Sequence, residues 1–205
     1  DDAQNKRILE AYKAYLKKLF LMTGNDEAAA EKKMQAVINI ETRIAKASYD
    51  RVKLRDIEAN YHKMTYAQLI NDFPGIDWGN VFLASGFPAF DYVDVGQPEP
   101  IHEVEKILAE ASLDDLKSYA EAKVIGGATS VLGDEFRKVS FELSSVMTGV
   151  KEDRPRWKRA VGLVSGTLGE AIGKLYVEKY FPESSKKRML ELVHNLQTAL
   201  GQRID

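Results

Sequence analysis

Cysteine is absent from this 205-residue sequence, so neither disulfides nor thiolate-bound metals contribute to its structure. Histidine is scarce: His62, His102 and His194 are the only three. A catalytic triad or a histidine-built metal centre has little to draw on. Charge of one sign is not in excess either. The 29 Lys and Arg against 31 Asp and Glu leave a net charge of -2, which offers no electrostatic attraction to nucleic acid or an anionic membrane. No apolar run approaches the ~20 residues of a membrane-spanning helix. The opening DDAQNKR is polar and does not read as a secretory leader, as a chain already relieved of one would not. What is present is 44% hydrophobic and 29% charged residues, the balance of a globular chain with a core.

Helical periodicity dominates. Ile8, Leu9, Tyr12, Leu16, Leu19 and Phe20 share one face of a first helix, and Gly24-Asn25 is a stop-and-turn signal. A second helix is expected from about Asp26 to Ser48, striped by Met34, Val37, Ile38, Glu41, Ile44 and Ala45. The short connection predicts a helical hairpin. Residues 49–100 are irregular, with a loop or short helix at RVKLRD. Thr65 caps a helix over MTYAQLINDF that Pro74-Gly75 ends, and Asp77 starts another at DWGNVFLASG. FDYVDVGQPEP alone alternates like a strand, and reads as a connector or one edge strand. Long helices then return. Ser112 caps one, Phe136, Val139, Leu143 and Met147 stripe the next up to Gly149, Pro155 opens a third that Pro182 ends, and Met189, Val193, Leu196 and Leu200 stripe the last. The expected fold is all-α: residues 1–205 as a single domain of long amphipathic helices with an irregular central connector.

Four constellations carry possible chemistry. His102-Glu103 begins an H-E-x-x-H zinc-protease motif, in which two imidazoles one helical turn apart hold the metal and the Glu serves as base. Here the second position is Lys106, a cation that cannot ligate zinc, so His102 reads as an exposed residue in a helix's first turn after Pro100. Gly162, Gly166, Gly169 and Gly173, spaced 4, 3 and 4, form one stripe of a helix. Each costs ~1 kcal/mol against alanine, which predicts close approach of another helix, with Gly126-Gly127-Ala128 as a candidate partner surface. EDRPRWKR gathers Arg154, Arg156, Lys158 and Arg159 around Trp157. It reads either as an anion or carboxylate contact, or as a helix start with Trp157 in the core and its cations solvated or paired with Glu152 and Asp153. Glu170 and Lys174 read as an ordinary surface pair. No carboxylate pair and no Ser-His-Asp set assembles into a catalytic site.

Two stretches, NYHKMTYAQLINDFPGIDW and RWKRAVGLVSGTLGEAIGKLYVEKYF, resemble the neprilysin and endothelin-converting-enzyme family of zinc metallopeptidases. A family segment of the form Tyr-x-Lys-Met-Thr-x-x-x-Leu is matched by Tyr61, Lys63, Met64, Thr65 and Leu69. A later segment is matched by Arg156, Trp157, Gly166, Ala171, Gly173, Leu175, Tyr176, Val177 and Glu178. The resemblance implies the N-terminal, non-catalytic helical region, which caps a zinc domain and helps enclose a chamber admitting short peptides. It also implies that the zinc ligands and peptide-binding motifs lie in a C-terminal catalytic domain outside these residues. The parent enzyme would then use zinc-activated water, while this chain holds no catalytic residue, no metal and no cofactor of its own. The family's vertebrate members are disulfide-rich. A chain without cysteine suggests a bacterial member, periplasmic, secreted or surface-anchored. The other reading is a free-standing helical protein-interaction domain without enzymatic activity.

Overall fold

The computed structural model describes residues 3–204; Asp1, Asp2 and Asp205 lie outside the described residues, so the polar opening is described only from Ala3. The expected all-α fold is present: nine α-helices and one two-stranded ribbon among the described residues. The chain divides into two compact units, Asp1–Lys151 and Glu152–Asp205, where the sequence alone suggests no boundary. Each is described by itself.

In the first unit, α1 (Ala3–Met22) and α2 (Glu27–Ala47) form the expected hairpin. Gly24 makes the turn between them at φ 90, a left-handed conformation that a side chain would strain. Asp26 caps α2 by accepting the Ala29 N–H at 2.8 Å, and Ser48 closes it. Packed on this hairpin are α5 (Pro98–Glu110) against α2, α6 (Leu113–Leu132) against α1 and α2, and α7 (Asp134–Thr148) against α1 and α6. Ser112 caps α6 by accepting the Asp115 N–H at 3.1 Å, and left-handed Gly149 ends α7. The main core joins Leu16 and Phe20 of α1, Ala30, Met34 and Val37 of α2, and Ala122 of α6. Burial of each large side chain here contributes ~1.5–3 kcal/mol.

The structure departs from the periodicity in two places. Ile40 is buried although it lies off the predicted α2 stripe, because α2 is covered by α1, α6 and α5 together. The first helix's stripe is buried only at Leu16, Leu19 and Phe20, and Leu9 is exposed.

The central connector is more ordered than its sequence suggests. Lys53–Arg55 forms a single 3-10 turn, followed by β1 (Lys63–Thr65), α3 (Tyr66–Asp72), α4 (Trp78–Ala84) and β2 (Tyr92–Asp94). β2 is the expected strand. Its antiparallel partner β1 is new, with Lys63 opposite Asp94, Met64 opposite Val93 and Thr65 opposite Tyr92. Thr65 ends β1 and caps α3 in a full capping box with Gln68. Leu69, Phe73 and Val95 form a second small core beneath Met64, Trp78, Phe82, Val93 and Ile101.

The second unit consists of α8 (Arg156–Tyr180) and α9 (Glu183–Ile204), linked by Phe181-Pro182. Pro155 is the N-cap of α8 rather than its first residue. Leu168, at φ -118 and ψ 15, breaks the helical geometry of α8 between Gly166 and Gly169. Neither helix buries a single described residue.

Candidate interaction surface

The zinc-like motif is taken up by other work. His102 sits in the second turn of α5, which begins at Pro98, and it is exposed as expected. Its Nδ1 is 3.0 Å from Glu105 Oε2, and its ring lies 4.7 Å from that of Phe73. The other oxygen of Glu105 accepts the Gly75 N–H at 2.6 Å, so the pair pins the turn after α3 to α5. A Cβ at Gly75 would stand 3.0 Å from that carboxylate, which leaves little room for a side chain. Glu103, in the place of the motif's base, accepts from Arg43 Nε at 2.6 Å, with Lys106 Nζ at 3.8 Å. The Arg43 hydrogen bond outweighs partial burial and holds the Glu103 carboxyl below its usual range. Arg43 also reaches Glu110 at 2.9 Å, making a clasp between α2 and α5. These residues do not fit a zinc ion. Among the described residues, no group of three or more His, Cys, Asp or Glu stands close enough to hold a metal.

A second polar cluster lies where α1, α2 and α6 meet. Tyr12 donates to Glu41 Oε1 at 3.0 Å, and Lys123 bonds the same oxygen. Tyr12 stacks on Tyr15 with ring centroids 6.2 Å apart, and Lys123 lies 5.1 Å from the Tyr119 ring centre. Burial, reinforced by the Glu41 charge, pushes the Tyr12 hydroxyl well above the ordinary phenol range. Burial opposes the charge on Lys123, but its hydrogen bond to Glu41 wins and raises its pKa. Donors and acceptors are matched here, and the cluster works as a joint rather than as chemistry in waiting.

The first family-like segment lies in and around the second small core. Leu69 is core, Met64 packs on it, Thr65 caps α3, and Lys63 Nζ lies 4.0 Å from the Tyr92 ring centre. Tyr61 is exposed. Tyr66, Phe82, Phe87 and Phe90 line an open aromatic hollow of roughly 260 Å³ nearby. No periodicity marks it, because its residues come from two short elements and a loop.

In the second segment the side chains point outward. Trp157 is 64% exposed and is not a core residue, so that part of the sequence reading is corrected. Arg154 and Arg156 are exposed. Arg159 donates to the Arg154 carbonyl at 2.7 Å and stands 3.9 Å from Asp153, while Lys158 lies 5.4 Å from the Trp157 ring centre. The glycine stripe finds no close neighbour in its own unit. A Cβ built on Gly162, Gly166, Gly169 or Gly173 meets nothing within 4 Å, so α9 does not pack on them. Gly126, the candidate partner surface, instead faces Tyr15, whose hydroxyl would stand 3.4 Å from its Cβ, and Gly127 faces open space.

Helical spacing sorts α8 into two sides. Gly162, Gly166, Gly169 and Gly173 fall on one. Trp157, Val161, Val164, Leu168, Ile172 and Leu175 fall on the other, and all six are exposed. On α9, Met189, Val193, Leu196, Leu200 and Ile204 recur at the same spacing and are also exposed, Leu196 at 62%. Soluble chains rarely leave so many large apolar side chains open unless something binds there. The candidate functional site is therefore a surface, of which the sequence had marked the α9 stripe but not the apolar side of α8.

Fold and surface define a helical chain with an uncovered apolar face, and comparison with known proteins shows the family it belongs to. The model of Peptidase family M13 matches residues 1–205, and this chain belongs to that family, in its N-terminal region. It is similar to human endothelin-converting enzyme 1, with 30% identity over 206 residues covering 96% of this chain and 26% of that enzyme. Neprilysin-2 of Drosophila melanogaster is 24% identical over 217 residues, covering 98% of this chain and 28% of that protein. The crystal structure of Mycobacterium tuberculosis zinc metalloprotease Zmp1 in complex with inhibitor superposes with a TM-score of 0.87 at 33% identity, over 97% of this chain and 30% of that one. PepO from Lactobacillus rhamnosis shares the fold alone, at a TM-score of 0.81 and 17% identity, over 95% of this chain and 31% of that one. The chain thus spans between a quarter and a third of the relatives it matches.

Proposed function

We propose that these residues form the non-catalytic cap of a zinc metalloendopeptidase, covering a catalytic domain that the same polypeptide supplies and narrowing access to short peptides. One observation carries the reading: the match runs along nearly the whole chain yet takes up only 26% of human endothelin-converting enzyme 1 and 30% of Zmp1. The zinc ligands and peptide-binding groups belong to the remainder, since the His102 segment does not fit the metal. No step of hydrolysis is assigned to a residue of this chain. Its contribution is confinement, and Arg154 and Arg156 are proposed as exposed cations available to the chamber or to an anion. No helix among the described residues is long and apolar enough to cross a membrane. The absence of cysteine and the likeness to a mycobacterial protease support a bacterial peptidase acting outside the cytoplasm.

The test is to express the complete reading frame and these 205 residues side by side. The complete protein is expected to contain H-E-x-x-H and to cleave short peptides, losing that activity to a chelator and regaining it with zinc. The 205-residue chain is expected to retain no stoichiometric zinc after reloading and to cleave nothing. One tightly held zinc per 205-residue chain, with activity, overturns the reading. A reading frame without H-E-x-x-H would instead favour the free-standing interaction domain.

A further inference from the structure

We propose that the aromatic hollow of the central connector binds a quaternary ammonium group, a trimethylammonium head carried by a free solute or by a lipid. The site goes beyond the peptidase reading and does not depend on it.

Rings from α3, α4 and the loop after α4 form its walls. Phe90 stands edge-on to Tyr66, with centroids 6.0 Å apart at 82°, and to Phe82, at 4.8 Å and 77°. Phe87 meets Phe82 at 5.9 Å and 78°. Rings set near right angles make corners rather than a stack, and corners leave ring faces turned on a shared space. That space is roughly 260 Å³ and open, and Phe87 at its mouth is exposed.

The face of an aromatic ring carries negative partial charge, so several faces around one space attract a cation. The surroundings have the same sign. No Lys or Arg occurs between Lys63 and Lys106, while Asp72, Asp77, Asp91 and Asp94 fall in the stretch that builds the hollow. Asp77 stands at its edge. A Cβ on Gly79, which lines the hollow, would be 3.5 Å from Asp77 Oδ1 and 3.6 Å from the Tyr66 hydroxyl. Lys63, the flanking cation, lies over the ring of Tyr92, 4.0 Å from its centre, and opposite Asp94 in the ribbon.

The type of cation follows from what the hollow lacks. Among the described residues, none that lines it is charged, and the Tyr66 hydroxyl is the only side-chain acceptor in the lining. The Asp77 oxygens accept from the Asn80 N–H at 3.0 Å and from its Nδ2 at 2.7 Å. A Lys ammonium or an Arg guanidinium brings several N–H donors and would give up water for too few partners. A quaternary ammonium has no donor to satisfy. Its methyl groups pack on the aromatic walls, and its charge meets their faces.

The test uses the complete polypeptide. It is titrated with choline and with choline's neutral tert-butyl isostere, in which carbon replaces the charged nitrogen. Saturation transfer to the methyl protons is read by NMR. Choline is expected to bind about tenfold more tightly than the isostere, the margin of a few cation–π contacts. Phe87→Leu keeps apolar bulk and removes one ring. Asp77→Asn keeps an oxygen cap on α4 and removes the charge at the edge. Each should weaken choline about threefold and leave the isostere unchanged. Urea melts show that the variants are folded, and Phe87 is 63% exposed, so its replacement should not move the midpoint. Equal affinity for the two probes means a merely apolar hollow and overturns the proposal. So does the absence of saturation transfer from choline, or choline affinity unmoved in both variants. Phosphatidylcholine vesicles added to the choline-loaded protein decide the source. Displacement assigns the head to a lipid, undisturbed choline binding assigns it to a free solute, and the trimethylammonium chemistry stands in both.

Discussion

Replacing Gly173 by alanine in the 205-residue chain should stabilise α8. The site is open: a Cβ there meets nothing within 4 Å, and it lies away from the break at Leu168. No side chain of α8 is buried, so tertiary packing contributes little to holding the helix and intrinsic propensity decides its stability. Alanine gains up to ~1 kcal/mol over glycine inside a helix, through lower backbone entropy in the unfolded chain. A gain of ~1 kcal/mol is about fivefold in the local opening equilibrium, which amide hydrogen exchange reads directly. Exchange of the amides around 170–178 should therefore slow about fivefold, with α1 and α2 unchanged. Gly173→Leu should act in the same direction, since Leu is also a strong helix former. Faster exchange in either variant would mean that the space is already occupied, and the open-face reading of α8 would be wrong. In the complete polypeptide the comparison gains a second use. A neighbour seated on the glycines would turn the gain into an overpacking cost of ~1–3 kcal/mol.

Further tests address the first unit and the joints. Leu69→Ala, in a core with Phe73 and Val95, should lower stability by ~2–5 kcal/mol in urea melts, and a loss under 1 kcal/mol would place Leu69 outside a packed core. Thr65→Ala removes the capping-box oxygen of α3 and should cost ~1 kcal/mol, with faster exchange at the Gln68 amide. Glu103 has a folded pKa below its unfolded one, so its clasp with Arg43 stabilises fully above the ordinary carboxylate value of ~4.3 and is lost as pH falls through the depressed value. Glu103→Gln should flatten that part of the acid melting curve, and an unchanged curve would show the clasp to be idle.

Helix limits were legible because the signals that set them are local. Asp26, Thr65, Asp77 and Ser112 each accept from the amide three residues on, so each cap is written in a few adjacent letters. The pairing of β1 with β2 was not legible. It joins Lys63–Thr65 to residues nearly thirty positions on, and three residues are too few to alternate visibly. The Arg43–Glu103 clasp and the Tyr12–Glu41–Lys123 joint were hidden for the same reason, since fold topology alone brings their members together.

The misreading of α8 has a different origin. An apolar stripe states that a helix is to be covered, and a glycine stripe states that something is to come close. Neither says whether the cover lies within the next hundred residues. For α1, α2 and α6 it does: their stripes meet in one core around Phe20, Met34 and Ala122. The stripes of α8 and α9 have the same period and comparable side chains, yet none of their residues is buried. Trp157, read from its type as a core residue, is exposed. The same periodicity that builds the core of the first unit is left uncovered in the second.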